Sequence, residues 1–312
     1  MTKKIAVIQT PPVLLDLEAT IERAVTSIDE VAREGAELAV FPEAFLPGYP
    51  TWVWRLRPGG DMGLSGVIHE RLRRNAVDID GGGLAPISEA AARNGVTVVC
   101  GMHEIDRRYS GSTLFNTVVV VGPDGKLLNR HRKLLPTNPE RMVWGRGDAS
   151  GLRVVDTPVG RIGCLICWEN YMPLARYALY AQNIEVLVAP TWDCGDGWLA
   201  TMRHIAREGG CWVVSLATAL HSNDVPEDFP ERAKLFGTDE WICDGDAVVF
   251  EPFGGPIAGP LRRKQEVLYA EIDPSRAARA RRSLDVTGHY ARPDIFQLSV
   301  NRSVMPPVTF SD

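Results

Sequence analysis

The stretch Thr113-Leu-Phe-Asn-Thr-Val-Val-Val-Val-Gly-Pro-Asp-Gly-Lys-Leu-Leu-Asn-Arg-His-Arg132 does most to decide the fold. Two strand-forming runs flank a Gly-Pro-Asp-Gly sequence whose residue types favour a tight turn, so the stretch predicts a β-hairpin. A second hairpin is predicted around Phe250 to Ala258, where proline and glycine residues form the turn. Because a hairpin joins antiparallel neighbours, any sheet that contains one includes antiparallel pairs.

Outside the hairpins, predicted strands and amphipathic helices alternate along the chain. Strands are predicted at residues 5–9, 38–41, 96–101, 152–156, 161–166, 186–189, 212–216 and 267–272. Helices are predicted at residues 16–34, 84–93, 171–182, 199–208 and 274–282. Alternation indicates sheets covered by helices, and the hairpins make those sheets mixed. With no linker in the sequence, we expect one α/β domain spanning residues 1–312. Its architecture is predicted to be a four-layer α-β-β-α sandwich of two mixed sheets, with a short C-terminal tail.

Composition excludes several classes of protein. The 312 residues carry a net charge of -5 with a pI near 5.8, which argues against a nucleic-acid binder and against a polybasic membrane anchor. No apolar run is long enough for a transmembrane helix. The apolar stretch after Lys3 and Lys4 is interrupted early and lacks a signal-peptide cleavage site, so we expect a cytoplasmic protein. The six cysteines show no framework spacing, and free thiols are expected.

Common catalytic motifs are missing from the sequence. There is no Gly-x-Ser-x-Gly elbow and no Gly-Lys-Ser/Thr phosphate loop. Cys164-x-x-Cys167 lacks the second pair of ligands that a zinc site requires, so no metal is predicted. As a redox pair it remains an alternative, although its two intervening residues are apolar. The pattern favours one core cysteine at Cys164 and one cysteine at a strand end, Cys167.

Three predicted strand ends carry residues that can act together. Glu43 follows the strand at residues 38–41, Lys133 follows the second arm of the first hairpin, and Cys167 ends the strand at residues 161–166. Each alone has an ordinary reading as a surface or core residue. Catalytic groups in α/β proteins, however, gather at the carboxyl ends of strands. A cysteine thiol needs a base or a cation to react at neutral pH, and Glu43 and Lys133 supply both. The backbone N–H of Trp168 is placed to donate to a developing anion.

The segments around these residues resemble the nitrilase branch of the carbon–nitrogen hydrolase superfamily. They are Phe41-Pro-Glu-Ala-Phe-Leu-Pro-Gly-Tyr-Pro50, His131-Arg-Lys-Leu-Leu-Pro-Thr137, Cys167-Trp-Glu-Asn-Tyr-Met-Pro-Leu174 and Gly288-His-Tyr-Ala-Arg-Pro-Asp294. The resemblance runs from about Lys4 to Phe310, nearly the whole chain.

The resemblance implies the α-β-β-α sandwich and a catalytic set of Glu43, Lys133 and Cys167, with Glu140 as a second glutamate supporting the lysine. It implies hydrolysis of an organic nitrile to the carboxylic acid and ammonia through a cysteine thioimidate and thioester, with water and without cofactor or metal. It also implies a homodimer or higher homo-oligomer. The short tail after Val308 argues against long filaments.

Several alternatives stay open on the sequence alone. An aliphatic amidase or carbamoylase, or a cyanide-hydrolysing relative, would use the same Glu–Lys–Cys set. A non-catalytic binding protein has no use for a nucleophile with a base and a cation. For the substrate pocket we predict Tyr49, Trp168 and Trp192, with Trp52 and Trp54 as further aromatic candidates. The segment at residues 221–236 is predicted to be a surface loop. Whether the nitrile is aromatic, arylacetic or aliphatic is left open.

Overall fold

The computed structural model describes residues 1–304 together with Pro306 and Val308. The remaining residues at the end of the predicted tail, Phe310 among them, lie outside this described part. Two mixed sheets and seven α-helices make up the described chain. Among the described residues, no helix combines the length and the apolar character needed to cross a membrane.

The first sheet contains six strands, and they include β1 and β13, the first and last strands along the described chain. Its strands are β1 Lys3–Ile8, β2 Leu38–Val40, β3 Thr97–Ile105, β4 Leu114–Val121, β5 Leu127–Arg132 and β13 Val267–Ile272. Their spatial order is β13-β1-β2-β3-β4-β5. The pairs β1–β2 and β2–β3 are parallel, and the others are antiparallel. The predicted first hairpin is therefore confirmed as the β4–β5 pair.

The second sheet contains the other seven strands. They are β6 Val154–Thr157, β7 Gly160–Cys164, β8 Val186–Pro190, β9 Trp212–Leu216, β10 Ala219–His221, β11 Trp241–Phe250 and β12 Pro256–Arg262. The spatial order is β10-β11-β9-β8-β7-β6, and β12 pairs with β11. β7, β8 and β9 are parallel neighbours. The predicted second hairpin is confirmed as β11–β12.

Seven α-helices flank the sheets or connect their strands. They are α1 Leu17–Arg33, α2 Met62–Arg74, α3 Ala85–Asn94, α4 Pro173–Tyr180, α5 Asp196–Gly209, α6 Arg232–Leu235 and α7 Arg276–Arg281. The first helix begins where its sequence predicts, because the Asp16 side chain accepts a hydrogen bond from the Ala19 backbone N–H at 3.0 Å. It ends before Gly35, whose φ of 82° only glycine adopts readily.

Alternation of side chains along β1 shows how the layers form. Ile5 and Val7 point into the core between the sheets, where they join Val186, Val188 and other residues of the second sheet. Ala6 and Ile8 point the opposite way, into a core shared with α1 and α3. A third core lies between the outer face of the second sheet and helices α4 and α5. These three cores separate four layers, so the predicted α-β-β-α sandwich of two mixed sheets is confirmed.

Two of the differences between the structure and the sequence predictions have a clear physical cause. Helix α2 was not predicted, because it buries only Ile68 and Leu72 and so carries a weak apolar period. The predicted surface loop at residues 221–236 is instead packed against the domain. Its Val225, Phe229, Leu235 and Phe236 are buried in one cluster with Trp52. These apolar side chains pack into the core although charged residues lie between them. The prediction of a surface loop was therefore wrong for the side of this segment that faces the core.

Candidate active site

Strand direction brings the predicted residues together. β5 runs in the same direction as β2, because two antiparallel pairings separate it from β3. Glu43 after β2 and Lys133 after β5 therefore lie at the same edge of the first sheet. In the second sheet, parallel β7 and β8 end just before Cys167 and Thr191. The two edges face each other, and each sheet supplies half of the site.

Glu43 is held in the interior by a close approach of two backbone segments. A Cβ on Gly101 of β3 would stand 2.2 Å from the Pro42 carbonyl oxygen, so only glycine lets the segment of Glu43 lie there. Glu43 Oε1 accepts hydrogen bonds from Lys133 Nζ at 2.8 Å and from Asn116 Nδ2 at 2.7 Å. Glu43 Oε2 is buried and has no hydrogen-bond partner among the described residues. Burial raises the pKa of Glu43 to about 7, although Lys133 opposes the rise.

Lys133 is a buried cation between two carboxylates. Its Nζ lies 2.8 Å from Glu43 Oε1 and 2.8 Å from Glu140 Oε2. Burial alone would lower the pKa of Lys133, but the charges of Glu43, Cys167 and Glu140 more than offset that effect and raise it. Lys133 therefore stays an ammonium group and can stabilise negative charge that develops beside it.

Both carboxylate oxygens of Glu140 accept hydrogen bonds. Besides Lys133, its Oε2 accepts from the Thr137 backbone N–H at 2.7 Å, and its Oε1 accepts from the Tyr49 hydroxyl at 2.6 Å. The Tyr49 oxygen in turn accepts from the Trp54 indole N–H at 3.0 Å. Because the donors of these hydrogen bonds are held in place, Glu140 is suited to orienting Lys133 and Tyr49 rather than to transferring protons.

Cys167 opens a 3-10 turn, Cys167–Tyr171, with a positive φ of 52°. This left-handed conformation is unusual for a residue with a side chain and marks a tightly constrained position. The Thr191 hydroxyl donates to Cys167 Sγ at 3.2 Å. Burial raises the pKa of Cys167 to about 12, with a further contribution from Glu43 and an opposing one from Lys133. Cys167 is therefore a neutral thiol in this structure, and a neutral thiol reacts only when a base takes its proton.

Glu169 joins the two halves of the site. Its carboxylate accepts from the backbone N–H groups of Ile166 and Leu134, both at 2.6 Å. His131 Nε2 lies 3.0 Å from the same carboxylate. Leu134 follows Lys133 and Ile166 precedes Cys167, so this single buried side chain fixes the spacing between the Lys133 ammonium group and the Cys167 thiol. The sequence alone does not indicate this role, although Glu169 lies within the segment Cys167–Leu174 that carries the family resemblance.

A cavity of about 150 Å³ lies beside Cys167. It is lined by Tyr49, Trp54, Thr137, Glu140, Cys167, Trp168, Trp192 and Asp193. The Tyr49 and Trp192 rings stack with centroids 4.3 Å apart, and the Trp168 indole N–H donates to Asp193 Oδ2 at 2.8 Å. The structure thus brings together all three predicted pocket residues and Trp54. Trp52 is elsewhere: it packs in the core against Phe229.

Other features of the site were missed or left open by the sequence. Asn116, Thr191 and Asp193 were not predicted, although Thr191 directly follows β8 and Asp193 lies two residues beyond Thr191, near a strand end where such residues are expected. Cys164 lies in β7 and is buried in the core between the sheets, and both it and Cys167 are free thiols in the structure. Among the described residues, no cluster of three or more His, Cys, Asp or Glu side chains is arranged to hold a metal.

Comparison with known proteins gives the class to which this fold and site belong. Residues 4–282 match the carbon–nitrogen hydrolase family. The aliphatic nitrilase of Sinorhizobium fredii (strain HH103) is 42% identical, over 96% of this chain and 96% of that protein. Nitrilase 3 of Arabidopsis thaliana is 39% identical, over 99% of this chain and 90% of that protein. The crystal structure of a carbon–nitrogen hydrolase from Helicobacter pylori G27 has a TM-score of 0.71 at 21% identity, covering 95% of this chain and 97% of that chain.

The chain belongs to the carbon–nitrogen hydrolase family, and it is a hydrolase that acts on carbon–nitrogen bonds. Within this class, the resemblance to the nitrilase branch that the sequence motifs indicated is confirmed, because full-length relatives at this level of identity are nitrilases.

Proposed function

We propose that this enzyme hydrolyses an organic nitrile to the carboxylic acid and ammonia, with Cys167 as covalent nucleophile, Glu43 as general base and acid, and Lys133 and Glu140 in support. The observation that carries the proposal is the unpartnered Glu43 Oε2 in a buried network with Lys133, beside a thiol at the cavity. Such an oxygen is free to take a proton from the thiol and later from water.

The first step joins Cys167 to the nitrile carbon. Glu43 takes the thiol proton as sulfur attacks, and one of the three carbon–nitrogen bonds opens. The proton passes to the nitrile nitrogen, which gives a neutral thioimidate. Negative charge develops on that nitrogen during attack, and the Lys133 ammonium and the Trp168 backbone N–H are the donors proposed to stabilise it.

Water completes the reaction in two steps. Glu43 deprotonates a first water molecule, whose oxygen adds to the thioimidate carbon and gives a tetrahedral intermediate. Protonation of the amino group lets ammonia leave, and a thioester remains. A second water molecule, activated in the same way, displaces Cys167 and releases the carboxylic acid. If the tetrahedral intermediate instead expels the cysteine, the product is the amide.

The decisive test is ammonia release from a panel of nitriles and their matching amides, with the organic product identified. The proposal predicts turnover of nitriles to acids, and no turnover by Cys167→Ala with the fold retained by circular dichroism. Full activity of that variant would contradict the covalent mechanism. Turnover of amides alone would assign the enzyme to the amidase or carbamoylase type, and turnover of cyanide alone to the cyanide-hydrolysing type.

Three further parts of the proposal concern the whole molecule. We propose that residues 1–312 form one domain, since one inter-sheet core draws on strands from β1 to β13. The free thiols of all six cysteines support a reducing, cytoplasmic location. A homodimer or larger homo-oligomer is supported by exposed apolar side chains near α4, where Leu174, Tyr290 and Phe296 are 66%, 64% and 76% exposed. Sedimentation measurements test that state.

A further inference from the structure

The cavity beside Cys167 has an unusual balance of charge. Among the described residues, its two charged lining residues are Glu140 and Asp193, both acidic, and no Lys, Arg or His lines it. Glu140 is already paired with Lys133. Asp193 accepts a hydrogen bond from the neutral Trp168 indole and has no ion pair with a basic side chain among the described residues. The negative charge of Asp193 is therefore available to a ligand.

The rest of the cavity wall is aromatic. Tyr49, Trp54, Trp168 and Trp192 supply four rings, and two of them stack face to face. A carboxylate set among aromatic faces is the arrangement that binds an ammonium group, because the rings attract cations and the carboxylate accepts their N–H bonds. The same carboxylate repels a carboxylate-bearing ligand. Nothing in the mechanism of nitrile hydrolysis itself requires Asp193.

The volume of the cavity limits the size of the ligand. A cavity of about 150 Å³ is the size that accommodates one benzene-sized molecule. Resting on the proposed function, we propose that the enzyme prefers small aliphatic nitriles carrying an ammonium group on a short chain, and that Asp193 selects them. The nitrile carbon lies at Cys167, while the ammonium group lies against Asp193 and the surrounding rings.

The test compares nitriles that differ in charge but little in size. These are 4-aminobutyronitrile, its neutral counterpart valeronitrile, and the anionic 3-cyanopropionate. The measured quantity is the ratio of kcat/KM for the aminonitrile to that for valeronitrile at pH 7. Asp193→Asn keeps an oxygen for the Trp168 indole and removes the charge. Because a hydrogen bond to a charged group is being replaced by a neutral one, the ratio falls at least about tenfold, mainly through KM.

Asp196→Asn is the matched control. Asp196 lies three residues further along and is 96% exposed, so its removal changes the charge of the protein equally without touching the cavity. The ratio is expected to change less than about twofold in this variant, since an exposed charge is screened by solvent and salt. The ratio of the unmodified enzyme also falls as salt is raised, which tests the inference without any variant.

The outcomes separate the two proposals. Valeronitrile turnover with an aminonitrile ratio at or below one overturns the role of Asp193 and leaves nitrile hydrolysis standing. An equal ratio before and after Asp193→Asn does the same. Failure to hydrolyse any of the three nitriles overturns the proposed function, and this inference with it. A ratio well above one that falls in Asp193→Asn but not in Asp196→Asn supports the inference.

Discussion

Replacing Glu43 by glutamine tests the central step of the mechanism. Glutamine keeps an oxygen that accepts from Lys133 and Asn116, as Glu43 Oε1 does now at 2.8 and 2.7 Å. It cannot accept a proton from the thiol. Because the pKa of Cys167 is raised to about 12, the resting cysteine depends on that proton transfer. The variant therefore isolates general-base catalysis from the packing of the site.

The expected loss of kcat/KM follows from the free energy needed to ionise the Cys167 thiol. With a pKa of about 12 for Cys167, roughly one thiol in 10⁵ is ionised at pH 7, and forming the thiolate without a base costs about 7 kcal/mol. General-base catalysis commonly contributes a factor of 10² to 10⁴ in rate, which is about 3 to 5 kcal/mol. We therefore expect kcat/KM of Glu43→Gln to fall by roughly 10² to 10⁴ at pH 7.

The pH dependence of kcat/KM tests the role of Glu43 as a base more directly than the loss of rate at a single pH does. In the unmodified enzyme kcat/KM falls below pH 7, because Glu43 with its pKa of about 7 takes up a proton and stops acting as a base. Glu43→Gln removes one of the charges that raise the pKa of Cys167, and its residual rate is expected to rise about tenfold per pH unit above pH 7 for as long as the pH stays below the pKa of that thiol. Initial rates of ammonia release over that range measure both curves.

A loss of less than about tenfold, or a flat profile in the variant, would show that Glu43 is not the base. Glu89→Gln is the matched control, because Glu89 is exposed on α3, far from the catalytic network. Its profile should follow that of the unmodified enzyme. Thermal unfolding of both variants separates a catalytic effect from loss of the fold.

Three further predictions follow from the same contacts. The raised pKa of Glu43, from 4.5 to about 7, gives a contribution to stability that is present below pH 4.5 and lost as pH rises through 7. Glu43→Gln should therefore have a larger free energy of unfolding than the unmodified enzyme at pH 8, as measured by urea titration, and a smaller free energy of unfolding would contradict this. Thr191→Val removes the 3.2 Å hydroxyl contact with Cys167 Sγ and should lower kcat/KM about twofold to tenfold, with unchanged rates counting against that contact. Gly101→Ala should lower the free energy of unfolding by about 1–3 kcal/mol and reduce activity, because its Cβ would meet the Pro42 carbonyl oxygen at 2.2 Å. Gly66→Ala, in α2 with open space around it, is the control and should be neutral or slightly stabilising.

The sequence predicted those members of the proposed catalytic set that lie at the ends of recognisable strands. Glu43, Lys133 and Cys167 could be identified because buried strands leave a clear pattern and their carboxyl ends gather on one edge. Asn116 lies within the hairpin strand β4, where polar residues are common, and only the three-dimensional packing of Glu43 against it reveals its role. Its contribution depends on a contact across 73 residues of chain, which local pattern does not report.

The sequence also predicted the overall fold, but it failed for a segment in which only some of the side chains are buried. Alternation and the two hairpins were enough for four layers. The segment at residues 221–236 carries prolines and charges that favour an exposed loop, yet Phe229 packs on Trp52 with ring centroids 5.8 Å apart. A few apolar side chains are enough to pack a loop against the core even when its average composition is polar. Tertiary packing therefore decides whether such a loop is buried. The position of Asp193 at the cavity was missed for a related reason: an acidic residue after a strand is usually solvated.

The pairing of β1 with β13 has a consequence for how the chain is made. Ile8 pairs with Val267, so about 260 residues must be synthesised before the first sheet acquires its last strand. At a ribosomal rate of about 5 to 20 residues per second, the apolar edge of β1 stays unpaired for roughly 13 to 50 seconds. Lys3 and Lys4 are the charges in this strand that discourage pairing with a neighbouring nascent chain. A chaperone that shields this edge during translation would therefore protect the first sheet from mispairing until β13 has been made.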